Sequence, residues 1–252
     1  MFRRFVAAVL ALTLPFAAFA QTAGAVVESL RGVAQVGNAE LKQGERLSGP
    51  TAVSTQAGAQ AFLQFDDGMQ IVLSENSLLR IVDFRYGAGG DRAVFELLRG
   101  SARVVTGRVA ANDASQFFFR TPQAEFKVED ASDFSVALVN PAYVTVHRGR
   151  VVAGNGQGTT PLNAGSTSVI ASGNSTPAAI AANALPASAS SQLNALAAAS
   201  VSAPYGGSLA GFGGVGGAAQ EVHQWLILGL IAAAVIVVVA AQDDDNPTTS
   251  HH

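Results

Sequence analysis

Residues 124–153, AEFKVEDASDFSVALVNPAYVTVHRGRVVA, change side at every second position. Phe126 and Val128 alternate with Glu125, Lys127 and Glu129; Phe134, Val136 and Leu138 alternate with Ser135 and Ala137; Val144 and Val146 alternate with Thr145 and His147. Successive side chains of a strand point to opposite faces, whereas a helix repeats about every 3.6 residues, so this pattern gives short strands with one apolar face. The interruptions, Glu129-Asp130-Ala131-Ser132-Asp133, Asn140-Pro141 and Arg148-Gly149, are turn chemistry, and the chain reverses there.

The same grammar fills residues 25–172. The clearest hairpin joins residues 61–65 to residues 69–73 through Asp66-Asp67-Gly68, where Asp-Gly predicts a tight primed turn. Leu63 and Phe65 then share a face with Ile71 and Leu73. Residues 94–98, 102–106 and 116–119 continue the pattern with Gly100 and Gly107 as breaks, and residues 151–153 and 168–171 close it. Strands this short and turns this frequent leave no room for the crossover helices of a parallel α/β sheet, so the fold class is all-β: a sandwich, a barrel or a β-solenoid.

Both ends read differently. Arg3 and Arg4, the apolar run 5–16 and the small-residue pattern Ala18-Phe19-Ala20 have the layout of a secretory leader cleaved before Gln21, which places the middle of the chain outside the cytoplasm. After Gly173 the composition shifts to Ala, Ser, Asn and Pro. Residues 188–201 read as a short helix with Leu193, Leu196 and Val201 on one face or as a mobile segment, and residues 205–217, YGGSLAGFGGVGG, as a flexible linker. The uncharged run 225–241, WLILGLIAAAVIVVVAA, has the length and content of a membrane-spanning helix, with Trp225 at the interface. Asp243-Asp244-Asp245 follows it without a basic flank. The expected domains are a signal peptide at 1–20, a β-domain at 25–172, a linker at 173–221, a transmembrane helix at 222–242 and an acidic tail at 243–252.

A net charge of −3 with 13% charged residues and no basic cluster argues against a nucleic-acid partner. The absence of cysteine excludes disulfides, thiolate metal sites and cysteine nucleophiles. Of the four histidines, His147 is flanked by Arg148 and Arg150, which disfavour imidazole as a base, while His223, His251 and His252 lie beside the span or at the terminus. Glu129, Asp130 and Asp133 lack the dense alternation of a calcium loop and suit turn and cap duty. No enzymatic activity, cofactor or metal is expected. The glycine-rich stretch 83–92 is a candidate recognition loop, through Asp83, Phe84, Arg85, Tyr86, Asp91 and Arg92, because Arg and aromatic side chains on loops anchor interfaces; the favoured alternative is that Phe84 and Tyr86 pack under a long loop while the charges face water.

The punctuation LKQGERL at 41–47, VST at 53–55 with GAQA at 58–61, FDDG at 65–68, LLRG at 97–100, FRTP at 119–122, DFSV at 133–136 and VTVHRGRV at 144–151 resembles the FecR-type periplasmic domain family over residues 26–170. The resemblance implies a β-helix-like domain, with a β-sandwich as the second form, exposed to the periplasm and used to sense or hold a partner. In the best-known members it relays a signal from an outer-membrane siderophore transporter to an extracytoplasmic-function sigma factor. Here a leader stands where those regulators carry a cytoplasmic sigma-binding domain and a span, and low-complexity sequence stands where they carry a small α/β domain. The expected function is an exported recognition or signalling module, anchored in the inner membrane by its C-terminal helix, that binds another envelope protein or polymer. The alternative is an envelope scaffold that self-associates through Gly229 and Ala233 of that helix.

Overall fold

In a computed structural model, which describes residues 22–199 and 201, the inward members of the period-two segments meet in one core. The expected leader at 1–20, the glycine-rich stretch 205–217, the expected span at 222–242 and the acidic tail lie outside the described residues, among which no helix is long and apolar enough to cross a membrane. The strands are β1 Gly24–Arg31, β2 Ala34–Val36, β3 Ala39–Glu40, β4 Arg46–Ser48, β5 Thr51–Thr55, β6 Gln60–Phe65, β7 Gln70–Leu73, β8 Leu78–Arg85 and β9 Arg92–Val105. After the short helix α1 Arg108–Asn112 come β10 Phe117–Arg120, β11 Glu125–Val128, β12 Asp133–Leu138, β13 Ala142–Arg148, β14 Arg150–Asn155, β15 Gly158–Asn163, β16 Thr167–Ile170 and β17 Ala178–Ile180, then α2 Ala187–Ala197. The all-β expectation holds.

The pairings run in two orders. The first sheet is β4–β1–β6–β7–β9–β12–β13–β16–β17. The second is β3–β2–β5–β8–β9–β10–β11–β14–β15. Neighbours are antiparallel except β9 and β10, which are parallel. The long strand β9 belongs to both sheets: its first half pairs with β8, and from Gly100 onward it pairs with β12. Gly100 has φ +79° at this crossing, and a Cβ there would run into Ser77. The close approach is used, since Ser77 Oγ accepts from Ser101 N (2.9 Å) and donates to Ser101 O (3.0 Å).

Aromatic side chains bridge the two sheets. Phe65 of β6 meets Phe84 of β8 and Phe95 of β9 at centroid separations of 4.9 and 5.2 Å, and Phe134 of β12 meets Phe119 of β10 and Phe126 of β11 at 5.7 and 6.1 Å. These tilted and edge-on contacts add about 0.5–1.5 kcal/mol per pair to the burial of the rings.

The β6–β7 hairpin has the expected register, Leu63 opposite Ile71 and Ala61 opposite Leu73, but not the expected primed turn. Only Gly68 has positive φ (+87°), whereas a type I′ turn needs it at both central residues. Gly68 N donates to Phe65 O (3.0 Å) and Phe65 N to Met69 O (2.8 Å), the pattern of an ordinary turn closed by a glycine bulge. That conformation turns Asp67 inward, where it is 1% exposed and accepts from Met69 N (2.9 Å) and from Val109 N at the start of α1 (3.2 Å). The hairpin turn thereby holds α1 in place.

Packing continues past the boundary expected at residue 172. β17 pairs with β16, and Ala189 and Leu193 of α2 pack on Ala137 and Tyr143 of the first sheet's outer face. Leu193 and Leu196 are buried as the helical reading required, while Val201 lies beyond the helix.

Candidate recognition face

β10 contains three consecutive phenylalanines. Phe117 and Phe119 point into the core, 1% and 0% exposed, so the pleat turns Phe118 to the outer face of the second sheet, where it is only half-buried. Arg92 and Arg120 both lie over its ring, with guanidinium carbons 5.2 and 5.4 Å from the centroid, within the range of cation–π attraction. Each arginine is fixed by a carboxylate: Arg92 Nε is 3.4 Å from Asp83 Oδ2, and Arg120 Nε donates to Glu125 Oε2 at 2.7 Å. Asp83 also accepts from Arg85 through both oxygens (3.2 and 3.0 Å).

The register extends this cluster into a ladder of alternating charge. Arg80 is opposite Glu96, Glu96 is opposite Arg120, and Arg120 is opposite Glu125, across β8, β9, β10 and β11. Arg80 pairs with Glu96 at 3.0 Å, and Lys127 reaches Glu125 at 3.4 Å. Burial pushes the Glu125 carboxyl up, but the hydrogen bonds and charges of Arg120 and Lys127 outweigh it and hold the group below its ordinary range. Exposed pairs of this kind contribute about 0–1 kcal/mol each to stability. Their effect is on order: they hold long side chains in place around an accessible aromatic ring.

The residues expected to form a recognition loop are divided. Asp83 and Arg85 lie in β8 and Arg92 in β9, so the sheet itself brings these three together. Phe84 is in the core, 5% exposed against Phe65, and offers nothing to a partner. Tyr86 packs against the core and its hydroxyl accepts from Arg108 Nη1 (3.1 Å); Asp91 accepts from Gly87 N (3.0 Å) and Asn112 Nδ2 (3.1 Å). The β8–β9 turn is therefore docked on α1, not a free excursion. Phe118, Arg120 and Glu125 were missed by the sequence reading, although a triple phenylalanine in a strand must send one ring to the opposite face.

His147 is on the other sheet. Its Nε2 is 2.8 Å from Ser135 Oγ, and Asp133 is its electrostatic neighbour. This grouping of Ser, His and Asp has the wrong wiring for a nucleophilic triad, because both Asp133 oxygens accept from Arg103 (2.9 and 2.8 Å) and Ser135 is fully buried. Burial lowers the His147 pKa; Asp133 raises it and Arg103 lowers it, with a net fall. Glu129 pairs with Arg150 (3.0 Å), and Asp130 Oδ1 accepts from Arg150 N (2.7 Å) and Ser132 Oγ (3.2 Å), the expected turn duty. Among the described residues no group of three or more His, Cys, Asp or Glu side chains is placed to hold a metal ion.

The fold is an all-β domain whose two sheets share one strand. Residues 51–152 match the sequence model of the family described as FecR protein, and this part of the chain is similar to that family. The match takes in Asp83, Arg92, Phe118, Arg120 and Glu125, but neither the strands β1 to β4 nor α2. Two crystal structures of a protein described as a "putative anti-sigma factor" from Parabacteroides distasonis ATCC 8503 are similar to the chain, at 20% and 19% identity and TM-scores of 0.41 and 0.39. They align with 48% and 47% of this chain, and the chain spans about half of theirs, 54% in each case. No curated protein matches it.

Proposed function

We propose that this chain is an exported, membrane-tethered recognition and signalling module of the periplasm, without catalysis of its own, that binds another envelope protein or polymer through the outer face of its second sheet. The observation that carries the reading is Phe118, an accessible ring held between two arginines that are each anchored by a carboxylate. Aromatic and arginine side chains fixed in advance lose little freedom on binding and are the residue types that dominate interface energies. Support for the compartment comes from the leader-like residues 1–20 and the apolar run 225–241. Support for a helix-like winding comes from the chain's repeated passage between sheets: β1 in the first, β2 and β3 in the second, β4 in the first, β5 in the second, β6 in the first.

A reporter enzyme that works only in the periplasm, fused behind residue 201 of the chain with its native N-terminus, is expected to be active. A cytoplasm-only reporter at the same point is expected to be silent. The reverse pattern overturns the proposal.

A further inference from the structure

On the outer face of the first sheet the registers set one residue from each successive strand into a row: Arg31, Gln60, Ser74, Ser101, Ala137 and Tyr143. Helix α2 covers one half, with Ala189 and Leu193 on Ala137 and Tyr143, and with Gln192 Oε1 accepting from Ser101 Oγ. The other half is not covered by α2: exposed Arg31, half-buried Gln60 and buried Ser74 line a groove of about 580 Å³ along the helix flank. That is within the roughly 300–1,000 Å³ of ligand-binding clefts.

Three polar side chains of the groove, Ser74, Arg31 and Gln192, carry hydrogen-bond donors that no acceptor meets among the described residues. Ser74 is 5% exposed and its Oγ has no hydrogen-bond partner, a condition that buried hydroxyls rarely tolerate. Among the described residues, Arg31 has no acidic partner and the Gln192 amide nitrogen has no acceptor. Glu75 also lines the groove, and its Oε2 is engaged by Gly58 N at 2.6 Å. The helix wall is methyl-sized, formed by Ala195 and Ala198.

We propose that this groove binds the free carboxyl end of a short peptide with small side chains. Arg31 pairs with the terminal carboxylate, Ser74 Oγ and Gln192 Nε2 donate to the carboxylate or the adjoining peptide carbonyl, and the alanine wall takes the ligand's methyl groups. A bare inorganic anion fits less well, because it leaves the apolar wall in water and meets a single guanidinium. The site is separate from the Phe118 face, which is on the other sheet, and does not rest on it.

The test is calorimetric titration of the full chain in detergent with N-acetyl-alanyl-alanine and with the same dipeptide carrying a C-terminal amide. The acid is expected to bind at least tenfold more tightly than the amide. Arg31→Ala, an exposed position, is expected to remove that difference, Ser74→Ala to weaken the acid several-fold, and Lys42→Ala, an exposed cation elsewhere, to change nothing. Equal affinity for acid and amide, undiminished binding in Arg31→Ala, an equal loss in Lys42→Ala, or no binding of the acid each overturns the proposal.

Discussion

Gly100 occupies the point where one strand leaves one sheet and enters the other, and two separate costs meet at that position. A side chain there is held in the left-handed region at φ +79°, and its Cβ overlaps Ser77. The first costs roughly 1–2 kcal/mol and the second roughly 1–3, so Gly100→Ala is expected to destabilise the domain by about 2–5 kcal/mol in denaturant unfolding. A loss below about 0.5 kcal/mol would show that the crossing is not tight. His147 gives a pH signature with a definite sign. Its folded pKa lies below the unfolded value of about 6.5, so on acidification the folded state takes up fewer protons than the unfolded state, and stability falls as pH drops below about 6.5. The wild-type chain should thus lose more thermal stability between pH 7.5 and 5.5 than His147→Gln; parallel losses would contradict the assignment. At this scale the sequence was informative wherever alternation alone decides. Phe126, Phe134 and Val144 are in the core, as the period of two required, and Phe118 was readable from the triple phenylalanine. Asp67 was not, because a carboxylate in a hairpin turn reads as solvated until the fold carries Val109 N onto it.

At the scale of elements, the instructive case is α2. Residues 173–199 read largely as linker because Ala, Ser and Asn give little amphipathic signal, and two leucines are a thin stripe. What holds the helix lies in distant strands: the apolar pair Ala137 and Tyr143, and Arg103 of β9. Arg103 Nη1 donates to Leu196 O (3.3 Å), Ala197 O (3.2 Å) and Ala199 O (3.2 Å), carbonyls at and just beyond the helix C-terminus. Its other nitrogens hold Asp133, whose side chain is 3% exposed. One guanidinium thus satisfies both a buried acid and a helix end. Arg103→Met leaves that acid buried and unpaired, and is expected to cost about 3–5 kcal/mol and to raise the hydrogen-exchange rate of α2 amides at least tenfold. Adding Asp133→Leu should recover most of the global loss without restoring α2 protection. Full recovery of both would show that Arg103 does not hold the helix.

At the scale of the molecule, the two outer faces are not equivalent. The first sheet is partly roofed by α2, which Ser101 and Arg103 tie down. The second carries a ladder of opposed charges around a ring left accessible. The segment 51–152 that matches the FecR model includes this ladder, whereas the roof is outside it. The recognition stretch expected at 83–92 was half legible for that reason: its charged members belong to the ladder, but the aromatic ring they surround comes from β10, some thirty residues away. Loop chemistry pointed to the neighbourhood, and parallel pairing of β9 with β10 supplied the centre.

The most direct measurement is in-cell photocrosslinking with a photoreactive phenylalanine analogue at Phe118 of the full chain. One dominant adduct with an envelope component is expected. It should be lost when Arg92 and Arg120 are both changed to alanine, and be absent when the analogue is at Lys42. An adduct that survives loss of both arginines, appears equally at Lys42, or joins the chain to a cytoplasmic protein would contradict recognition by this face.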